Sequence, residues 1–223
     1  MGDAVGQVLS FGIAVTLNPV TIIAVVLVLD SPRAKASGPL LLIGWMLGLF
    51  AVAGLVAVLS TGAGAGDGGD PSTAVTLARL VFGLLLLVIA RRQFAKRPSP
   101  GEEAEMPLWM KAIDDIEPFR AFGTGIVLAV ANPKNLILVA GAGAAVAATG
   151  SAPGDQLAAL VVFAIVGTIG PAIPVGIYFF MRDRSEVLLA RLSGWLTQQS
   201  STIIGVLCLI IGGLLIGDGI SGL

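Results

Sequence analysis

An all-α, polytopic membrane protein is the fold class that the sequence predicts: six transmembrane helices arranged as two inverted three-helix repeats. Three observations carry that expectation. The 223 residues are 56% hydrophobic and only 12% charged, about half the charge a soluble domain carries. The mean hydropathy is +0.95. The apolar residues fall into six runs, each near the roughly 20 residues that a helix needs to cross a bilayer.

The runs are, in order, Val8 to Leu29, about Pro39 to Leu59, about Ser72 to Ile89, about Ala121 to Ala148, about Gln156 to Met181, and about Ser200 to Gly217. The first lacks a basic leader and is too long for a cleavable signal. The first and fourth are interrupted, by Asn18-Pro19 and by Asn132-Pro133-Lys134-Asn135. The fifth contains Pro171 and Pro174 after Gly167-Thr168-Ile169-Gly170, a pattern expected to kink a helix or act as a hinge. Gly44 and Gly48, and Gly213 and Gly217, have the spacing of close helix contacts, within the bundle or on a dimer face.

Charge is segregated. Eleven of the 13 Lys and Arg residues lie in the connections Asp30–Ser37, Arg91–Arg120 and Arg182–Gln199. Cytoplasmic loops collect Lys and Arg, so these three connections are expected inside and both termini outside, in a bacterial plasma membrane. Asp30 is expected to form a surface pair with Arg33. Within the third connection, Pro107 to Phe119 places Leu108, Trp109, Ala112, Ile113, Ile116 and Phe119 on one helical face, the pattern of an amphipathic helix on the inner membrane surface. The organisation expected is therefore residues 1–90, a linker at 91–120, and residues 121–223.

The two Asn-Pro pairs are the specific part of a weak internal repeat. Three spans per half is an odd number, so the second half enters the membrane from the opposite side. Asn18 and Asn132 lie ten or eleven residues into their spans, about 15 Å deep, near the centre of a roughly 30 Å core. Discontinuous helices meeting at the midplane are where secondary transporters bind substrate. The candidate substrate-binding residues are Asn18, Pro19, Thr21, Asn132, Pro133, Lys134, Asn135 and Thr168. A charge at the helix centre costs about 2.5–3.5 kcal/mol on insertion scales, so Lys134 is expected to face a polar cavity and an anionic group. With no Asp or Glu in the middle of any run, coupling to protons would fall to Lys134 or Asp30. The Asn side chains have a second reading, as caps for the helices their prolines begin.

The chain has no His and one Cys, Cys208. That excludes disulfides and the usual zinc sets. No metal, cofactor or catalytic residue is expected, and the chain does not read as an enzyme.

The order Pro107-Leu108-Trp109-Met110-Lys111, Asp114, Pro118-Phe119-Arg120-Ala121-Phe122-Gly123, then Asn132-Pro133-Lys134-Asn135-Leu136, resembles the GAP family of sulfolipid- and peptidoglycolipid-addressing proteins of mycobacteria and their relatives. Leu17-Asn18-Pro19-Val20-Thr21 and Ser31-Pro32-Arg33 resemble that family's first helix. The resemblance implies membership of the LysE exporter superfamily. It implies six spans in two halves, and export or flipping of an envelope lipid or glycolipid. Partners expected on this reading are membrane lipids, the lipid or glycolipid substrate, an envelope lipid-export machinery and a second copy of the chain, with no nucleic acid. Export of a small polar metabolite or ion, and a non-transporting scaffold for such a machinery, are the alternative functions.

Overall fold

A computed structural model describes residues 2–62, 73–95, 116–181 and 185–221. Among these the chain is all-helical, with eight helices: α1 (Gly2–Thr16), α2 (Pro19–Leu29), α3 (Ala34–Gly62), α4 (Thr73–Ala95), α5 (Pro118–Ala131), α6 (Pro133–Ala148), α7 (Pro153–Met181) and α8 (Ser185–Ser221). Two stretches, Ala34–Thr61 and Pro153–Met181, are each long and apolar enough to cross a membrane. Three bent pairs qualify if each is one span: α1 with α2 at 55°, α5 with α6 at 79°, and the two parts of α8 at 57°. The chain thus has two to five candidate spans among the described residues.

The outward faces suit hydrocarbon rather than water. Leu55, Val58 and Leu59 on α3, Leu84 on α4, Val127 on α5, and Ile165, Ile169 and Ile173 on α7 all point away from the bundle. A soluble monomer rarely exposes contiguous apolar area on this scale.

Packing runs chiefly between the two halves of the chain. The most extensive contacts are α3 with α5, α4 with α8, α1 with α7 and α3 with α6. The central cluster joins Val8, Val15, Trp45, Leu49, Ala53, Ala129, Leu138, Val139 and Phe163, so α1, α3, α5, α6 and α7 share one core. A second cluster, at the end where α2 stops and α3 and α5 begin, joins Val28, Leu29, Leu41, Ile116, Ala121 and Leu189.

The α3–α5 crossing depends on glycine. A Cβ on Gly125 would land on the Leu41 carbonyl oxygen, and one on Gly44 on the Phe122 carbonyl oxygen. Gly44 and Gly48 are therefore contacts within the bundle, Gly48 meeting Ala129. The Gly213 side of the other glycine pair faces open space; the close approach of α4 and α8 is made by Gly83 and Gly212.

Several boundaries differ from the sequence reading. The second half of the connection Asp30–Ser37 is the first turn of α3, which follows a turn where the Ala34 amide donates to the Ser31 carbonyl at 3.0 Å. Arg33 pairs with Glu117 at 3.8 Å, not with Asp30; both side chains are solvated, so the pair adds little stability. The connection Arg182–Gln199 is helical from Ser185 and continuous with α8. Its polar residues conceal an apolar stripe, and Leu192 and Leu196 pack on Ile22 and Ile23 of α2. Of the expected amphipathic helix, residues 107–115 lie outside the described residues. It does not run through to Phe119. Glu117 is extended, at φ −66° and ψ 147°, and Pro118 starts α5, because a residue before proline is pushed out of the helical region.

If the α3–α5 crossing is as tight as this, Gly125→Val lowers stability by about 3 kcal/mol or more, the upper end for overpacking against backbone that cannot give. Gly213→Ala leaves it unchanged. Thermal unfolding in detergent micelles compares the two.

Candidate functional site

Each Asn-Pro pair ends one helix and starts the next by the same local chemistry. Asn18 leaves the helical region at φ −84° and ψ 102°, and Pro19 occupies the first turn of α2. Asn132 does so at φ −87° and ψ 115°, with Pro133 opening α6. Proline suits this position because its missing N–H has no helical partner there in any case. Asn18 Oδ1 accepts from the Val20 amide at 3.2 Å, and Asn132 Oδ1 accepts from the Lys134 amide at 3.1 Å. Both Asn side chains are caps, as one of the two sequence readings had it.

Proline also strips a donor from the preceding helix. In the second elbow the amide of Asn135 replaces it: Nδ2 donates to the Ala129 carbonyl, four residues before Pro133. In the first elbow the Asn18 amide donates to the Val15 carbonyl at 3.2 Å.

What remains is three polar atoms with no hydrogen-bond partner among the described residues: Thr21 Oγ1, Lys134 Nζ and Asn135 Oδ1. Thr21 is fully buried, Lys134 is 3% exposed and Asn135 is 1% exposed. Thr21 and Asn135 hold the same register, three residues after the capping Asn. Leaving one such atom unpaired costs about 1–3 kcal/mol, and more for a charge. Three in one bundle require a reason. The charge is also placed against the local field. Lys134 sits in the first turn of the 16-residue α6, at the positive end of the helix dipole. An ammonium and a helix N-terminus together favour an anion.

The elbows have neighbours in common. Val15, one turn before the first, lies in the same buried cluster as Ala129, Leu138 and Val139 around the second, and Phe11 packs over Gly141. The α8 helix borders both: Leu196 and Ile203 meet Ile22 and Ile23, while Ile204 and Cys208 meet Ile137. Lys134 and Cys208 lie within electrostatic range of each other. The elbows differ in exposure. Asn18 is buried and Asn132 half-buried, with Ala131 and Leu136 exposed beside it.

The remaining candidates stand apart. Thr168 is half-buried, and its hydroxyl donates to the Ala164 carbonyl of its own helix at 2.7 Å. Asp30 is exposed at the far end of α2, about 18 Å along the helix from Asn18. Pro171 and Pro174 are buried inside α7, which continues past them. Three groups were not singled out from the sequence as site residues. Thr16 and Trp45 bond to carbonyls of α7, and Cys208 lies within electrostatic range of Lys134. The 57° bend within α8 was signalled only by the polar run Thr197-Gln198-Gln199-Ser200-Ser201-Thr202.

An all-helical bundle with apolar outward faces and paired helix elbows is compatible with a multi-pass membrane protein. The chain belongs to the Sap, sulfolipid-1-addressing protein, family, whose model matches residues 8–221. No curated protein and no solved structure matches it.

If both Asn residues act as caps, Asn18→Ala and Asn132→Ala each cost about 1 kcal/mol of stability. Denaturant unfolding in mixed micelles tests this; a loss at only one elbow would contradict the shared geometry.

Proposed function

We propose that the chain is a secondary transporter that exports or flips an anionic envelope lipid across a bacterial plasma membrane, with the head group held at the two elbows. The family's description names sulfolipid-1, and a sulfolipid carries an anionic group. One observation carries the reading: three buried, unpartnered polar atoms at matching elbows, one of them a cation at a helix N-terminus.

In this proposal six spans form two repeats: α1–α2, α3 and α4, then α5–α6, α7 and α8. The packing supports the pairing. The contact of α1 with α7 corresponds to that of α5 with α3, and α2 with α7 to α6 with α3; α3 with α7 and α4 with α8 map onto themselves. Three spans per half make the repeats inverted. The basic connections then lie inside and both termini outside. Lys134 supplies charge and Asn135 and Thr21 supply hydrogen bonds. Water-free burial strengthens each of these contacts. The partial exposure of Asn132 and Leu136 supports lateral entry at the second elbow, with acyl chains left in the membrane.

Reconstitution tests the reading. Purified protein in liposomes, with a sulfolipid labelled on an acyl chain, moves label between leaflets. Lys134→Met abolishes this while its unfolding midpoint holds or rises, because a buried unpaired charge is removed. Translocation at the wild-type rate by Lys134→Met would remove Lys134 from the mechanism. No translocation by the wild type under any gradient, with activity restored by a partner protein, would favour a scaffold.

A further inference from the structure

The α7 helix carries two prolines in its interior without ending. Pro171 has no N–H, so the Gly167 carbonyl lacks the donor that a regular helix would supply four residues on. Trp45 Nε1, from α3, donates to that oxygen at 3.2 Å, and both groups are buried. One residue earlier, the Thr16 hydroxyl donates to the Val166 carbonyl and accepts from the Gly170 amide at 3.5 Å. Val166 and Gly170 are the two partners of one helical rung, so the hydroxyl lies across that rung. The backbones meet here as well: a Cβ on Gly170 would land on the Thr16 carbonyl oxygen, and one on Gly167 would crowd Leu49 and Val15.

Thr16 is the last residue of α1, two before the capping Asn18. The side chain that secures α7 therefore stands at the rim of the first elbow. Trp45 fastens the same segment from α3, beside Gly44, where α3 and α5 cross. Two side chains from two helices thus occupy successive carbonyls just before the Pro171–Pro174 segment.

We infer that Thr16 and Trp45 are positioning residues that hold α7 at its proline segment and couple that segment to the first elbow. When α1 moves, the Val166–Gly170 rung loses the Thr16 hydroxyl that ties it to α1. With Gly167 already dependent on Trp45, α7 is then free to bend at Pro171–Pro174. At Gly167 the bond from Trp45 cannot be replaced from within α7, because the missing N–H belongs to Pro171. It requires no particular substrate and goes beyond the transport reading.

Amide hydrogen exchange in lipid nanodiscs tests it on the full chain without ligand. In Thr16→Val and in Trp45→Phe, peptides covering residues 164–175 exchange about tenfold faster than in the wild type, the expected consequence of losing a hydrogen bond that ties α7 to a neighbouring helix. The other helices keep their rates, and Thr16→Ser restores protection. Pro171→Ala supplies the missing N–H, so adding Trp45→Phe to it has no further effect. Unchanged exchange in both variants, an equal rise in every helix, or a Trp45→Phe effect that persists alongside Pro171→Ala would overturn the inference. If Thr16→Val does not fold, Trp45→Phe with and without Pro171→Ala decides alone.

Discussion

A proline inside an apolar bundle leaves a carbonyl with no amide to pair with and no water within reach, and in hydrocarbon such a group must be satisfied by protein. That constraint organises this molecule. Pro133 strands the Ala129 carbonyl, and Asn135 supplies the donor. Pro171 strands the Gly167 carbonyl, and Trp45 supplies it from another helix. At Pro19 the preceding amide, that of Asn18, turns back to the Val15 carbonyl. Two of the three repairs use a polar side chain, and the third uses a backbone amide. The repair by Trp45 also joins α3 to α7.

Capping, repair and bonds to nearby carbonyls occupy many of the polar residues in the bundle, and what they leave over is informative. Asn18 and Asn132 are occupied as caps, and Thr168 bonds within its own helix. Lys134 Nζ, Thr21 Oγ1 and Asn135 Oδ1 are not occupied. They share two elbows of the same local geometry, and the cation stands where a helix dipole opposes it. A group that is costly to bury and absent from every structural bond is better explained by what it binds than by what it holds together. In the proposed function, the anion site therefore rests more on Lys134 than on the Asn-Pro pairs that first mark it.

Much of this was legible in the sequence. The Asn18-Pro19 and Asn132-Pro133 breaks and the contact role of Gly44 and Gly48 follow from local rules about proline and glycine; the course of α7 through Pro171 and Pro174 as one helix does not, because the same rules lead to the expectation of a kink or hinge there. The start of α8 at Ser185 did not follow, because Arg191 and its polar neighbours look like a loop until Leu192 and Leu196 are seen packed on α2. The roles of Thr16 and Trp45 were hidden for a different reason. Their partners are carbonyls in a helix 122 or more residues away, and no periodicity within one helix reports which neighbour will strand a carbonyl beside it. The capping of both Asn residues was readable; which of their neighbours would be left unpaired was not.

The central claim is that the unpaired atoms of the elbows receive an anionic head group. A cryo-electron microscopy structure of the protein in nanodiscs containing a sulfolipid tests it most directly. The account predicts density for the anionic group within hydrogen-bond distance of Lys134 Nζ, with acyl chains leaving the bundle past Ala131 and Leu136. Head-group density at the opposite, basic end beside Arg33 and Arg120, with Lys134 still unpaired, would contradict it.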